Sequence, residues 1–135
     1  MRNIWIPMIL LIFSEGISAY GLEVDCDINS GPCKKGTDKG IVIFDVSPKP
    51  VKAMNELEFI VHLDGFHNYD YDLLKISLSM PGMYMGKNEV ILKRLEKGRY
   101  KGKGVIPMCV TGKTLWKATI DLQDFKVDFL FDVTH

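Results

Sequence analysis

From Leu57 to Leu63 apolar and polar residues alternate, with Leu57, Phe59, Val61 and Leu63 on one face of an extended chain and Glu58 and His62 on the other. The same period of two returns at Leu74, Ile76, Leu78 and Met80, opposite Lys75, Ser77 and Ser79, and again at Phe125, Val127, Phe129 and Phe131. Four further short runs read as strands: Ile41 to Val46, Val90 to Leu95, Arg99 to Ile106, and Leu115 to Ile120. Breaks separate them at Ser47-Pro48-Lys49-Pro50, Asp64 to Asp72, Met80 to Gly86, Glu96-Lys97-Gly98, Pro107 to Gly112 and Asp121 to Asp124. No stretch repeats every 3.6 residues, as an amphipathic helix must. About seven short strands at regular spacing predict an all-β fold, an immunoglobulin-like antiparallel β-sandwich. Gly102 and Gly104 mark a bulge or a close approach of backbones, and Trp116 is a candidate for the buried tryptophan of such folds.

The N-terminal twenty residues have a different texture. Arg2 is followed by an uncharged run, Ile4 to Phe13, and then by small residues up to Gly21. Residues 1–21 therefore read as a signal peptide, too short in its apolar run to span a bilayer as a helix. Residues 22–40, rich in Gly, Asp, Asn, Lys and Pro, read as an irregular arm, and 41–135 as the β-domain. The implied product is exported, periplasmic or beyond, and soluble, with no membrane span after cleavage. The chain has 135 residues, with 17 Lys plus Arg balanced by 17 Asp plus Glu, so no basic excess exists to hold nucleic acid. Export implies oxidising conditions for the cysteines. Cys26 and Cys33 flank a turn-rich loop and are a candidate disulfide; a Cys33–Cys109 bridge is the competing arrangement.

One stretch stands apart: Met80-Pro81-Gly82-Met83-Tyr84-Met85-Gly86. If consecutive strands reverse strictly, loops 47–56, 80–86 and 107–113 and the C-terminal end all fall at one end of the sandwich. Met54, Met80, Met83, Met85, Met108, Cys109 and His135 then gather there, while His62 and His67 lie at the other end. Clustered thioether and thiolate sulfurs suit copper as Cu(I). A thioether has no proton to lose before it binds a metal. Met80, Met83 and Met85, completed by Met108 or Cys109, are the candidate ligands, with Tyr84 either shielding the metal or facing solvent. Two other readings stand beside this one. Methionines fill irregular gaps in cores, and a methionine-rich surface can receive a protein partner.

The run MPGMYMGKN, then Gly98-Arg99-Tyr100-Lys101-Gly102, then Leu115-Trp116-Lys117-Ala118, resembles the FixH/YtkA-like family of exported β-sandwich domains over residues 41–133. The resemblance implies a non-enzymatic envelope domain tied to copper handling, metal efflux or assembly of copper-containing oxidases. The chain departs from the family in two ways. Members linked to oxidase assembly are typically membrane-anchored, and many carry His in the Met-Pro motif, where Tyr84 and methionines stand here; the second departure favours Cu(I) over Cu(II).

Other chemistry finds little support. His62, His67 and His135 form no HxH or HExxH pattern, and no Cys-x-x-Cys pair is present, so zinc is not expected. No Gly-x-Ser-x-Gly motif occurs, and the chain is not expected to be an enzyme. The functional expectation is an exported copper-binding protein, with a metal-free module docking on an envelope efflux or oxidase-assembly complex as the alternative.

Overall fold

The computed structural model describes residues 24–67 and 71–135. The signal peptide read at 1–21 lies outside these residues, as do Asn68, Tyr69 and Asp70. Among the described residues every regular element is a strand: β1 (Cys33–Thr37), β2 (Gly40–Ser47), β3 (Leu57–Asp64), β4 (Leu73–Met80), β5 (Met83–Glu96), β6 (Arg99–Gly104), β7 (Leu115–Asp121) and β8 (Lys126–Asp132). They hydrogen-bond in the order β1-β2-β3-β6-β5-β4-β7-β8, every neighbour antiparallel.

The all-β antiparallel expectation holds, with eight strands in one continuous sheet where about seven in two sheets were anticipated. The added strand, β1, comes from the stretch read as an irregular arm. Of its five residues only Cys33 is buried, so no apolar alternation advertises it. Backbone pairing with β2 makes it a strand, and Thr37 Oγ1 steadies the turn by donating to Gly40 O at 2.9 Å. The free edges of β1 and β8 are drawn together by Asp25. Its N–H donates to Leu130 O at 2.8 Å, and its carboxylate accepts from Leu130 N at 2.7 Å and pairs with Lys35 at 3.0 Å. The sheet is thus nearly closed into a barrel.

The inward faces are those that the alternation predicts. Leu57, Phe59, Val61 and Leu63 of β3, Leu74, Ile76, Leu78 and Met80 of β4, and Val127, Phe129 and Phe131 of β8 are all buried, as is Trp116 of β7. Phe44 packs between Phe59 and Phe129, with ring centroids 6.4 and 5.4 Å away. Gly102 and Gly104 prove to be sites of close approach. A Cβ on Gly102 would stand 2.3 Å from Ile91 O, and one on Gly104 2.6 Å from Val90 Cγ2. Their missing side chains let β5 fold inward over β6. The β5–β6 ladder accordingly has only three pairs, Lys93↔Lys101, Arg94↔Tyr100 and Glu96↔Arg99.

Odd and even strands alternate around the sheet, so all even strands run toward one end, called upper here. Residues 48–56, the Pro81-Gly82 turn, residues 105–114 and the end of β8 all lie at the upper end. Two connections cannot join neighbours. From β3 to β4 the chain crosses β6 and β5 at the lower end, where Tyr100 Oη donates to Tyr71 O at 2.8 Å. From β6 to β7 it crosses β5 and β4 at the upper end, directly over the Pro81-Gly82 turn. That second crossing builds the candidate site.

Candidate metal centre

The methionine-rich stretch is mostly strand. The turn is Pro81-Gly82 alone, joining the pair Met80↔Met83. Pro at the first central position and Gly with φ +76° at the second match a type II turn. Being directly paired, Met80 and Met83 share one face, and Met85, two residues on, shares it too. Gly86, φ +78°, then interrupts the strand's regular pairing before Asn88 rejoins the ladder opposite Leu78.

Over this hairpin lies the β6–β7 crossing. It is fixed to the rest of the upper end by backbone bonds, Met54 N to Ile106 O at 2.8 Å and Val133 N to Thr114 O at 3.0 Å. Within it Gly112 N donates to Cys109 O at 3.0 Å, closing a tight turn. The turn presents Cys109 to the hairpin, with Cys109 Sγ 3.6 Å from Met83 Sδ. Thr111 Oγ1 stands 3.0 Å from Cys109 Sγ and 3.8 Å from Met83 Sδ, so it holds both sulfurs.

Cys109 is a free thiol, almost wholly buried. The Thr111 hydroxyl, with the backbone N–H of Thr111 and the nearby Lys113, holds its pKa below the usual thiol value, against the opposing effect of burial. It is free because Cys26 and Cys33 form the disulfide, with Cα atoms 5.7 Å apart. The competing Cys33–Cys109 pairing is not formed.

The anticipated residues divide clearly. Met83 and Cys109 touch; Met80, buried, sits across the ladder from Met83 and lines a shallow groove of about 440 Å³ with Pro81 and Gly112 to Leu115. Met85 is partly buried against the core. Met108, next to Cys109, is 47% exposed, and Tyr84 is 92% exposed, so Tyr84 faces solvent and shields nothing. Met54 is exposed at the same end. Among the described residues no three of His, Cys, Asp and Glu come together, so a metal held here has to draw on thioether sulfur. Thr111 and Lys113 escaped the sequence reading. Their role depends on a turn that brings them back to Cys109, and no motif announces it.

No family model, curated protein or solved structure matches the chain. The function is therefore read from the site itself.

Proposed function

We propose that this is an exported, non-enzymatic copper-binding protein that takes Cu(I) at the upper end of the barrel through Met83 and Cys109, with Met80 as third ligand. The observation that carries the reading is the 3.6 Å approach of Met83 Sδ to Cys109 Sγ. With metal–sulfur bonds of about 2.3 Å, sulfurs 3.6 Å apart subtend about 100° at a metal between them, an angle suited to a three- or four-coordinate site. A thiolate with two thioethers is a soft donor set that favours Cu(I) over Zn(II) or Cu(II). The lowered Cys109 pKa reduces the cost of forming the thiolate. Met85 and Met108 are the remaining sulfurs within the same two segments and would serve in loading or release.

The role this suggests is copper handling or efflux, in line with the resemblance to FixH/YtkA-like domains. The finer architecture fits that resemblance as well. With only three pairs joining β5 and β6, the barrel reads as a flattened, immunoglobulin-like sandwich, its halves being β1-β2-β3-β6 and β5-β4-β7-β8.

The test is an anaerobic Cu(I) titration against a chromophoric chelator. Native protein is expected to bind one equivalent. Met83→Leu and Cys109→Ser should each weaken binding at least about tenfold, since each removes one of three bonds to the metal. Leu keeps most of the volume of Met, so the fold survives. If native protein fails to compete for Cu(I), the reading is overturned, and the sulfurs are packing or a docking surface for an envelope partner.

A further inference from the structure

Trp116 is wholly buried, and its indole Nε1 is the one buried side-chain nitrogen or oxygen among the described residues that has no hydrogen-bond partner. Buried donors are nearly always paired, because an unmet one forfeits the bond it made to water. Hydrogen bonding therefore does not account for a tryptophan at this position. What indole offers over a smaller apolar side chain is the area of its ring face.

The register shows what that face meets. Trp116 pairs with Phe131 of β8, and Met80 pairs with Met83 of β5. Between these pairs β4 and β7 are themselves neighbours. Lys117 lies opposite Ser79, and Trp116 and Met80 are the next residues of their strands, both buried. Met83, Met80, Trp116 and Phe131 thus form one inward row across β5, β4, β7 and β8, with adjacent members about 5 Å apart. The row lies at the upper end, beneath the crossing that carries Cys109. Met80 and Leu115, the residue before Trp116, also line the same groove. Met80 therefore has Met83 on one side and Trp116 on the other.

We propose that Trp116 is a positioning residue of the metal centre, its indole backing Met80 and holding the thioether toward Met83 and Cys109. The inference rests on the copper reading and gives it a reason why a buried methionine can serve as ligand. Met is unbranched, with three rotatable bonds, and takes many shapes. A flat ring against it removes the shapes that turn away from the site, so less freedom is lost when metal binds. The favourable contact of sulfur with an aromatic ring adds to the hold. Because the indole N–H is tied to nothing among the described residues, packing alone sets the ring, and a shift of Met80 on loading is passed to Trp116.

The chain has two tryptophans, Trp5 and Trp116, so Trp5→Phe in the full chain leaves Trp116 as the sole indole emitter. Cu(I) is added anaerobically; affinity is read by chelator competition, and Trp116 emission is followed in parallel samples without chelator. Emission is expected to change in step with metal uptake and to level off at one equivalent. In Met80→Leu, Cu(I) still binds, more weakly, through Met83 and Cys109, and most of the emission change is lost. Trp116→Leu should weaken Cu(I) binding about fivefold, the scale of a sulfur–aromatic contact, and should weaken it no further once Met80 is leucine. A side chain that served the fold alone would give the same loss in both backgrounds. The proposal is overturned if Trp116→Leu binds as native, if its loss persists in the Met80→Leu chain, or if metal binds with emission unmoved. The emission experiment leaves Trp116 in place, so it decides the matter even where Trp116→Leu does not fold. If native protein fails to compete for Cu(I), the copper reading itself has failed, and this one falls with it.

Discussion

Replacing Gly102 with alanine tests the close approach of β5 to β6. The new methyl would stand 2.3 Å from Ile91 O and 2.7 Å from Leu92 Cδ2. The leucine tip can rotate away, but the carbonyl is backbone and cannot move without β5. Overpacking of this kind typically costs 1–3 kcal/mol, and a backbone obstacle argues for the upper end, about 3 kcal/mol. Alanine also restricts the unfolded chain, which returns about 0.7 kcal/mol. The net expectation is a loss of about 2 kcal/mol, or about 8 °C in Tm for a domain of this size. That is a sizeable share of the 5–15 kcal/mol typical of whole domains. Gly36→Ala is the control, since nothing lies within 4 Å of a Cβ built there. Urea unfolding followed by circular dichroism reads both, and an unchanged m-value would confirm that the native state is affected. The reasoning fails if Gly102→Ala unfolds within about 0.5 kcal/mol of native, a typical neutral-substitution range. It also fails if Gly36→Ala costs as much.

Thr111→Val in the metal-free protein removes the strongest influence lowering the Cys109 pKa. Thiolate absorbance against pH should therefore rise at higher pH in the variant than in native protein; coincident curves would contradict the 3.0 Å contact between Thr111 Oγ1 and Cys109 Sγ. The same sign carries into Cu(I) affinity. Below the folded-state pKa the metal must displace a proton, so affinity falls as pH falls, and the variant should begin to lose affinity at higher pH. Changing Cys26 and Cys33 together to Ser opens a loop with sequence separation 7 and should cost about 2.5 kcal/mol by loop entropy, measured by urea unfolding under oxidising conditions, with copper binding by Cys109 intact. Tyr100→Phe removes the 2.8 Å bond to Tyr71 O at the lower end; a loss of about 1–2 kcal/mol is expected, with no change in Cu(I) affinity.

Seven of the eight strands were legible, six because alternate side chains are buried and β6, where only Tyr100 is buried, because it follows the Glu96-Lys97-Gly98 break. Where Leu57, Phe59, Val61 and Leu63 must all avoid water, a period of two has to be written into the residues. Strand direction was legible because strict reversal, which the structure keeps even across the β3–β4 and β6–β7 crossings, sends Met54, Met80, Met83, Met85, Met108 and Cys109 to one end. What the residues did not disclose are features held by backbone hydrogen bonds. β1 has a single buried side chain, and the outer half of β5, from Met83 to Glu89, buries none fully. Neither leaves an apolar trace.

The contact between Met83 and Cys109 belongs to the tertiary structure alone. Twenty-six positions separate them, and no local rule joins a hairpin to a later loop. They meet because β6 pairs with β3 and β7 with β4, so the chain between β6 and β7 has to cross the Pro81-Gly82 turn. The choice of Cys26–Cys33 over Cys33–Cys109, and hence a free thiol at this end, likewise depends on where folding sets the three sulfurs. Sequence determined which atoms could serve as soft ligands and toward which end they would travel. Only the strand order decided which of them touch, because strand order is set by long-range pairing that no short stretch of residues encodes.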